Sequence, residues 1–163
     1  MKNQTASVLI VYFSRSGNTR HIANLIQQEV GGTLHELETV TAYPPAYNAV
    51  VEQAKREIRA GYRPPLRATL EDIEAYATVF IGTPNWWDTL APPVATFLSE
   101  HDFSGKTIAP FCTHGGGGAG DIPRDLARLC PGAAVLSCLA LYGSGGESAP
   151  AEVSAWLRGL TIP

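Results

Sequence analysis

Val8-Leu9-Ile10-Val11-Tyr12-Phe13 runs without a break into Ser14-Arg15-Ser16-Gly17-Asn18-Thr19. Six consecutive apolar residues suit a strand covered on both faces, the setting of an inner strand in a parallel sheet. The next six bring three hydroxyls, a glycine and an asparagine to the point where a helix starts. Ile22, Leu25, Ile26 and Val30 then recur at helical spacing as one apolar stripe. A helix N-terminus presents free N–H groups and the positive end of a dipole, so small donors placed there favour a phosphate group. Gly17 or Asn18 can supply the positive φ of such a loop. No lysine lies in it and G-x-x-x-x-G-K-[ST] is absent, which excludes a Walker loop. The expected phosphate is held by neutral donors, assisted at most by Arg15. That suits a cofactor monoester better than a triphosphate being cleaved.

Further along, apolar runs alternate with helical patterns. Thr33–Leu37 alternates as a sheet-edge strand does. A passage bracketed by Pro44-Pro45 and Pro64-Pro65 contains a helix with Val51, Ala54, Lys55 and Ile58 in register. Thr78–Gly82 is a second fully apolar strand, and Pro92-Pro93 suits the first turn of a helix carrying Val94, Phe97 and Leu98. Thr107–Cys112 is the fourth strand. Pro110 within it removes a ladder donor, so a local irregularity is expected there. Asp121 can cap a helix with Leu126 and Leu129 inward. Ala134–Leu141 is the fifth strand, and Val153, Trp156, Leu157 and Leu160 share one face of a last helix. Five strands alternating with helices specify a doubly wound α/β sheet in a single domain, residues 1–163. In such sheets ligands bind beyond the carboxyl ends of the strands. The loops after strands one, three and four are therefore expected to converge.

The whole chain sets limits on function. At 163 residues with 45% hydrophobic and 17% charged side chains, it can bury a substantial core. A formal net charge of −3 does not favour nucleic acid. No apolar run reaches membrane-spanning length, and Met1-Lys2-Asn3-Gln4-Thr5 carries no signal-peptide core. Cys112, Cys130 and Cys138 are odd in number and lack C-x-x-C spacing, so a reduced cytoplasmic setting is expected.

The other two loops are unusual. Thr83-Pro84-Asn85-Trp86-Trp87-Asp88 places two tryptophans at a strand end, where each can bury roughly 150–250 Å². One is expected to pack on the core; the other offers a flat wall to an aromatic ring system. Asp88 reads as a turn or cap residue. Thr113-His114-Gly115-Gly116-Gly117-Gly118-Ala119-Gly120 lets a backbone come close to a ligand edge. It matches G-x-G-x-x-G formally, but too late in the chain and without an acid ending the next strand to hold a ribose. A cysteine phosphatase is excluded because glycine occupies position 118 where C-x5-R needs arginine. There is no G-x-S-x-G elbow, and the four histidines are not at metal-ligand spacing. A lone loop histidine such as His114 is more often solvated than catalytic.

Taken together, Ser14–Thr19, Gly82–Trp87, and Phe103-Ser104-Gly105-Lys106-Thr107 leading to Cys112–Gly116 resemble the flavodoxins, which bind FMN. The likeness runs from about Ser7 to Leu160. It implies a flavodoxin-like sheet of strand order 2-1-3-4-5 with helices on both faces, an order for which flavodoxin is itself the standard example. It also implies FMN phosphate on Ser14, Ser16, Asn18 and Thr19 with backbone from Arg15 and Gly17. Thr83, Pro84, Asn85, Trp86, Trp87 and the adjoining Asp88 would line the ribityl chain and one ring face. Thr113, His114, Gly115, Gly116 and Gly117 would meet the ring edge from the other side. The chemistry would be the flavin's, tuned by stacking and hydrogen bonds.

Two departures stand out. Many flavodoxins place a tyrosine over the outer ring face from the loop after the fourth strand, where this chain has glycine. Relatives with a Trp-Trp loop often follow it with glycine, where this chain has Asp88. The preferred expectation is an electron carrier that exchanges electrons with a redox partner protein or a small-molecule acceptor. The alternative is an FMN-dependent NAD(P)H:quinone reductase using an open flavin face. A flavin-free module on the same fold is a third class, disfavoured by the intact loops.

Overall fold

The structure, a computed structural model, describes residues 8–162. Its strands are β1 (Val8–Tyr12), β2 (Thr33–Glu36), β3 (Thr78–Trp86), β4 (Thr89–Leu90), β5 (Thr107–His114), β6 (Ala134–Val135) and β7 (Leu139–Tyr142). The helices are α1 (Asn18–Val30), α2 (Tyr47–Ala60), α3 (Pro92–Ser99), α4 (Ile122–Leu129) and α5 (Ala149–Gly159). Alternation along the inner strands divides the core in two. Leu9, Val11, Val79, Ile81, Ile108 and Cys112 face α3 and α4. Ile10, Tyr12, Phe80, Ala109 and Phe111 face α1 and α5. Because both faces are covered, the strands read as unbroken apolar runs.

The expected five-stranded sheet of order 2-1-3-4-5 is corrected to seven strands. The main path is β2-β1-β3-β5-β6, with β4 paired to β3 and β7 paired to β5. Two local events account for the difference. First, β3 does not stop at Gly82 but continues through Trp86 and folds back as an antiparallel hairpin on β4, pairing Asn85 with Leu90 and Trp86 with Thr89. Residues read from sequence as loop are thus partly strand.

Second, the expected strand Ala134–Leu141 is split. Ile108 pairs with Val135 and Phe111 with Leu139, so the outer chain spends one residue more than β5 between these positions. The Leu136 N–H donates to the Ile108 carbonyl at 2.8 Å, which fixes the edge that Ile108 and, two residues on, Pro110 present to this chain. Pro110 has no N–H to give there, and the facing strand bulges. The irregularity that Pro110 leads one to expect appears on its neighbour, while β5 itself runs on to His114.

Asp121 occupies the position before α4, as expected, but makes no capping hydrogen bond; its carboxylate pairs with Arg124 at 3.2 Å. The Phe103–Thr107 segment lies at the start of β5. There the Lys106 ammonium donates to the Ile73 and Tyr76 carbonyls, so the segment braces the end of the sheet away from the three loops. Among the described residues, no helix is long and apolar enough to cross a membrane.

Candidate functional site

β1 hands over to α1 through a tight loop. Gly17, at φ 100°, is in the left-handed region that glycine alone adopts without strain. The buried Ser14 hydroxyl accepts from the Gly17 N–H at 3.1 Å and the Arg20 N–H at 3.2 Å, so it ties the loop to the helix. The N–H groups of Arg15, Ser16, Asn18 and Thr19 donate to no group among the described residues. Four spare donors at a helix start form an anion cradle. Thr19 is buried and shares a 2.8 Å hydrogen bond with Thr113, which joins this loop to the end of β5.

Both arginines near the cradle are already engaged by other groups. Arg15 turns away and donates to the Pro45 carbonyl at 2.9 Å. Arg20, absent from the sequence expectation, lies beside Gly17 and makes a two-pronged pair with Glu36 at 3.1 and 2.6 Å. Tyr12 Oη donates to the same carboxylate at 3.1 Å; burial, reinforced by Glu36, pushes that phenol up to about 12. The signal for Arg20 was its place three residues after Gly17, but its partner Glu36 meets Tyr12 only through the β1–β2 register. The free donors of the cradle itself are thus neutral backbone N–H groups.

At the end of β3 the two tryptophans separate. Trp86 packs edge-on against Phe13 and Tyr43, with ring centres 5.6 and 5.1 Å away. Trp87 is 49% exposed and donates from Nε1 to the Val51 carbonyl of α2 at 3.0 Å. Trp87 and Asp88 form the two-residue turn of the β3–β4 hairpin, with φ of 55° and 67°. Positive φ at both turn positions matches the strand twist, but for a bulky residue it is strained. The turn is held from outside. The Asp121 N–H donates to the Asp88 carbonyl at 2.7 Å, and Asn85 Nδ2 donates to the Gly118 carbonyl at 2.7 Å. Gly120 allows this approach, since a Cβ there would lie 2.8 Å from the Asp88 carbonyl oxygen. Below the turn, Thr89 Oγ1 donates to the buried Asp125 carboxylate at 2.5 Å. Burial opposes ionisation of Asp125, yet Thr89 and Arg128 hold it below the usual carboxylate range.

The loop after β5 turns on His114. Its Nδ1 accepts from the Gly116 N–H at 3.0 Å, so in the neutral ring Nε2 carries the proton. Tyr142 of β7 stands edge-on to the same ring at 5.9 Å.

A cavity of about 370 Å³ lies between these segments. Of the expected residues, Arg15, Asn85, Trp86, Trp87, Asp88, His114, Gly115 and Gly117 line it. Ser14, Ser16, Gly17, Asn18 and Thr19 are placed beside it in the cradle, and Gly116 is exposed on the loop. Thr83 and Thr113 are buried: Thr83 Oγ1 donates to the Pro84 carbonyl and accepts from the Ala91 N–H, while Thr113 meets Thr19. The far wall was not foreseen. It consists of Tyr47, Val50, Val51 and Ala54 of α2. Helical spacing had marked Val51 and Ala54 as apolar, but only the chain's path between β2 and β3 decides that they face a cavity. Among the described residues, no cluster of His, Cys, Asp and Glu is arranged to hold a metal ion.

The geometry agrees with comparisons to known proteins. The flavodoxin family model matches residues 7–159. Flavodoxin 1 of Escherichia coli strain K12 is 27% identical over 110 residues, 63% of this chain and 46% of its own length. The flavodoxin of Klebsiella pneumoniae is 25% identical over 114 residues, covering 65% and 48%. The matches thus span a little under half the length of these curated relatives. Among solved structures, a provisionally named flavoprotein from Bacteroides eggerthii superposes with a TM-score of 0.84 at 28% identity, over 96% of this chain and 99% of that one. A flavoprotein in complex with FMN from Lactobacillus acidophilus has the same fold, with a TM-score of 0.72 at 22% identity over 93% and 99%. A match across nearly the whole chain, on a sheet that brings these three loops together, shows that the chain belongs to the flavodoxin family.

Proposed function

We propose that this protein binds FMN and transfers electrons through it. The observation that carries the reading is the cradle at Arg15–Thr19, four uncommitted N–H donors whose neighbouring cation is already paired, set beside an aromatic-walled cavity. That donor set fits a phosphate monoester, and names among the relatives support the flavin. Ser16, Asn18 and Thr19 would hold the phosphate; Trp87 and the Asn85–Asp88 turn would border the ring from one side, and His114–Gly117 from the other. Bound FMN supplies reversible storage of electrons at its ring. The protein's part is to orient it, and to keep the turn rigid through the Asp88–Asp121 and Asn85–Gly118 bonds. The odd number of cysteines and their lack of C-x-x-C spacing favour a reducing cytoplasmic setting.

The test is direct. Purified protein is expected to be yellow and to bind FMN more tightly than riboflavin in a fluorescence titration. Equal affinities would remove the phosphate assignment. A second reading, reduction of small molecules at the expense of NAD(P)H, is favoured by the apolar α2 wall of the cavity. Anaerobic mixing of FMN-loaded protein with NADH and NADPH separates the two: rapid bleaching of the flavin supports the reductase, and none supports the carrier.

A further inference from the structure

Charge in this chain is divided unevenly. Residues 47–67, which hold α2 and the segment after it, carry Lys55, Arg56, Arg59, Arg63 and Arg67 against Glu52 and Glu57. The rest of the chain holds seven cations and thirteen acids. A chain of net charge −3 thus contains one segment of net +3. On α2, Val50 and Ala54 are buried, while Glu52, Arg56 and Arg59 recur at i, i+4 and i+7 on the exposed side. Arg63 follows, also exposed, two residues beyond the helix-ending Gly61. Glu57 is occupied by hydrogen bonds from Tyr43 Oη at 2.7 Å and Gln53 Nε2 at 2.9 Å. Among the described residues, none of the five cations forms an ion pair. Tyr47 and Tyr62, 70% and 50% exposed, stand at the two ends of the helix.

Unpaired charges of one sign attract a surface of the opposite sign, and exposed rings beside them give it apolar area to cover. We propose that α2 and the turn after it are a docking face for a protein whose own contact surface is acidic. Four of the five cations are arginines. Arginine and tyrosine are enriched at protein–protein interfaces, whereas lysine is depleted there, so the composition favours a protein over an anionic membrane or a nucleic acid. Tyr47 belongs to this face and also lines the cavity, so a partner covering it lies beside the cavity mouth. The redox meaning of that position rests on the FMN reading; the charge complementarity does not.

The probes are a strongly acidic plant-type [2Fe–2S] ferredoxin and a basic cytochrome c. Binding of each to the full chain is measured by biolayer interferometry, with and without added FMN. The ferredoxin is expected to bind about tenfold more tightly at low ionic strength, against the sign of the whole chain's charge, and to lose that preference in 0.5 M salt. Arg56→Gln with Arg59→Gln is expected to remove most of the preference and to leave FMN affinity unchanged. Arg63→Gln, outside the helix, should remove about twofold. A preference for the cytochrome, or one for the ferredoxin untouched by all three substitutions, overturns the proposal. So does tighter binding to phosphatidylglycerol vesicles or duplex DNA than to the ferredoxin. Self-association in sedimentation velocity that the double substitution abolishes also overturns it, because the face would then belong to a second copy of this chain. A ferredoxin preference that survives where FMN fails to bind supports the docking face and rejects the flavin reading alone.

Discussion

The two ends of the site are built differently. The cradle is contiguous: Ser14, Gly17 and Arg20 bond within seven residues of one another, and the conformation follows from a strand, a glycine and a helix start. The cavity end is assembled from parts far apart in sequence. Trp87 is anchored to Val51, Asn85 to Gly118 and Asp88 to Asp121. A local device fails when its own backbone is disturbed, whereas an assembled one fails when any of several remote partners is lost. The two should therefore separate in how they treat FMN and riboflavin, which differ in the phosphate alone.

Gly17→Val is expected to have the largest effect. A β-branched side chain at φ 100° costs about 1–3 kcal/mol of strain, and the cradle reshapes to escape it. FMN affinity should fall by about tenfold or more while riboflavin affinity holds, read by titration of the variant beside the parent. If both ligands weaken equally, the cradle does not act on the phosphate. Trp87→Phe comes next. It keeps an aromatic ring but deletes the hydrogen bond to Val51, a loss of about 1 kcal/mol. FMN and riboflavin should then weaken together by roughly fivefold, and an altered FMN-to-riboflavin ratio would break the division between the two ends.

The smallest effect concerns neither end. His35 and His101, both partly buried, flank the core residue Phe97, and burial lowers both from the usual histidine value; Glu100 and Glu74 partly offset this for His101. A folded state that resists protonation keeps its stability above the unfolded value of about 6.5 and loses it as pH falls. Melting temperature should therefore decline between pH 7.5 and 5.5. His35→Gln should flatten that decline without changing the FMN-to-riboflavin ratio.

Legibility followed the same division. The strand Val8–Phe13, the cradle and the α1 stripe were readable because each is a short-range pattern. The pairing of Trp86 with the core and of Trp87 with α2 was not, because both indoles sit at one strand end and only their neighbours differ. Pro110 announced a disturbance, but it fell on β6 and β7, since a missing donor is felt by the strand that would have accepted it a partner. Val51 and Ala54 were visible as an apolar face, with no sign that the face borders a cavity.

By itself, the amino-acid sequence determined the alternating parallel architecture and the cradle at Arg15–Thr19, through burial periodicity and the backbone freedom of one glycine. The tertiary structure alone decided the seven-stranded outline, the Trp87–Asp88 turn and the α2 wall of the cavity. Those depend on strand register and on where a crossover helix comes to rest, which are set by contacts between residues that no local pattern brings together.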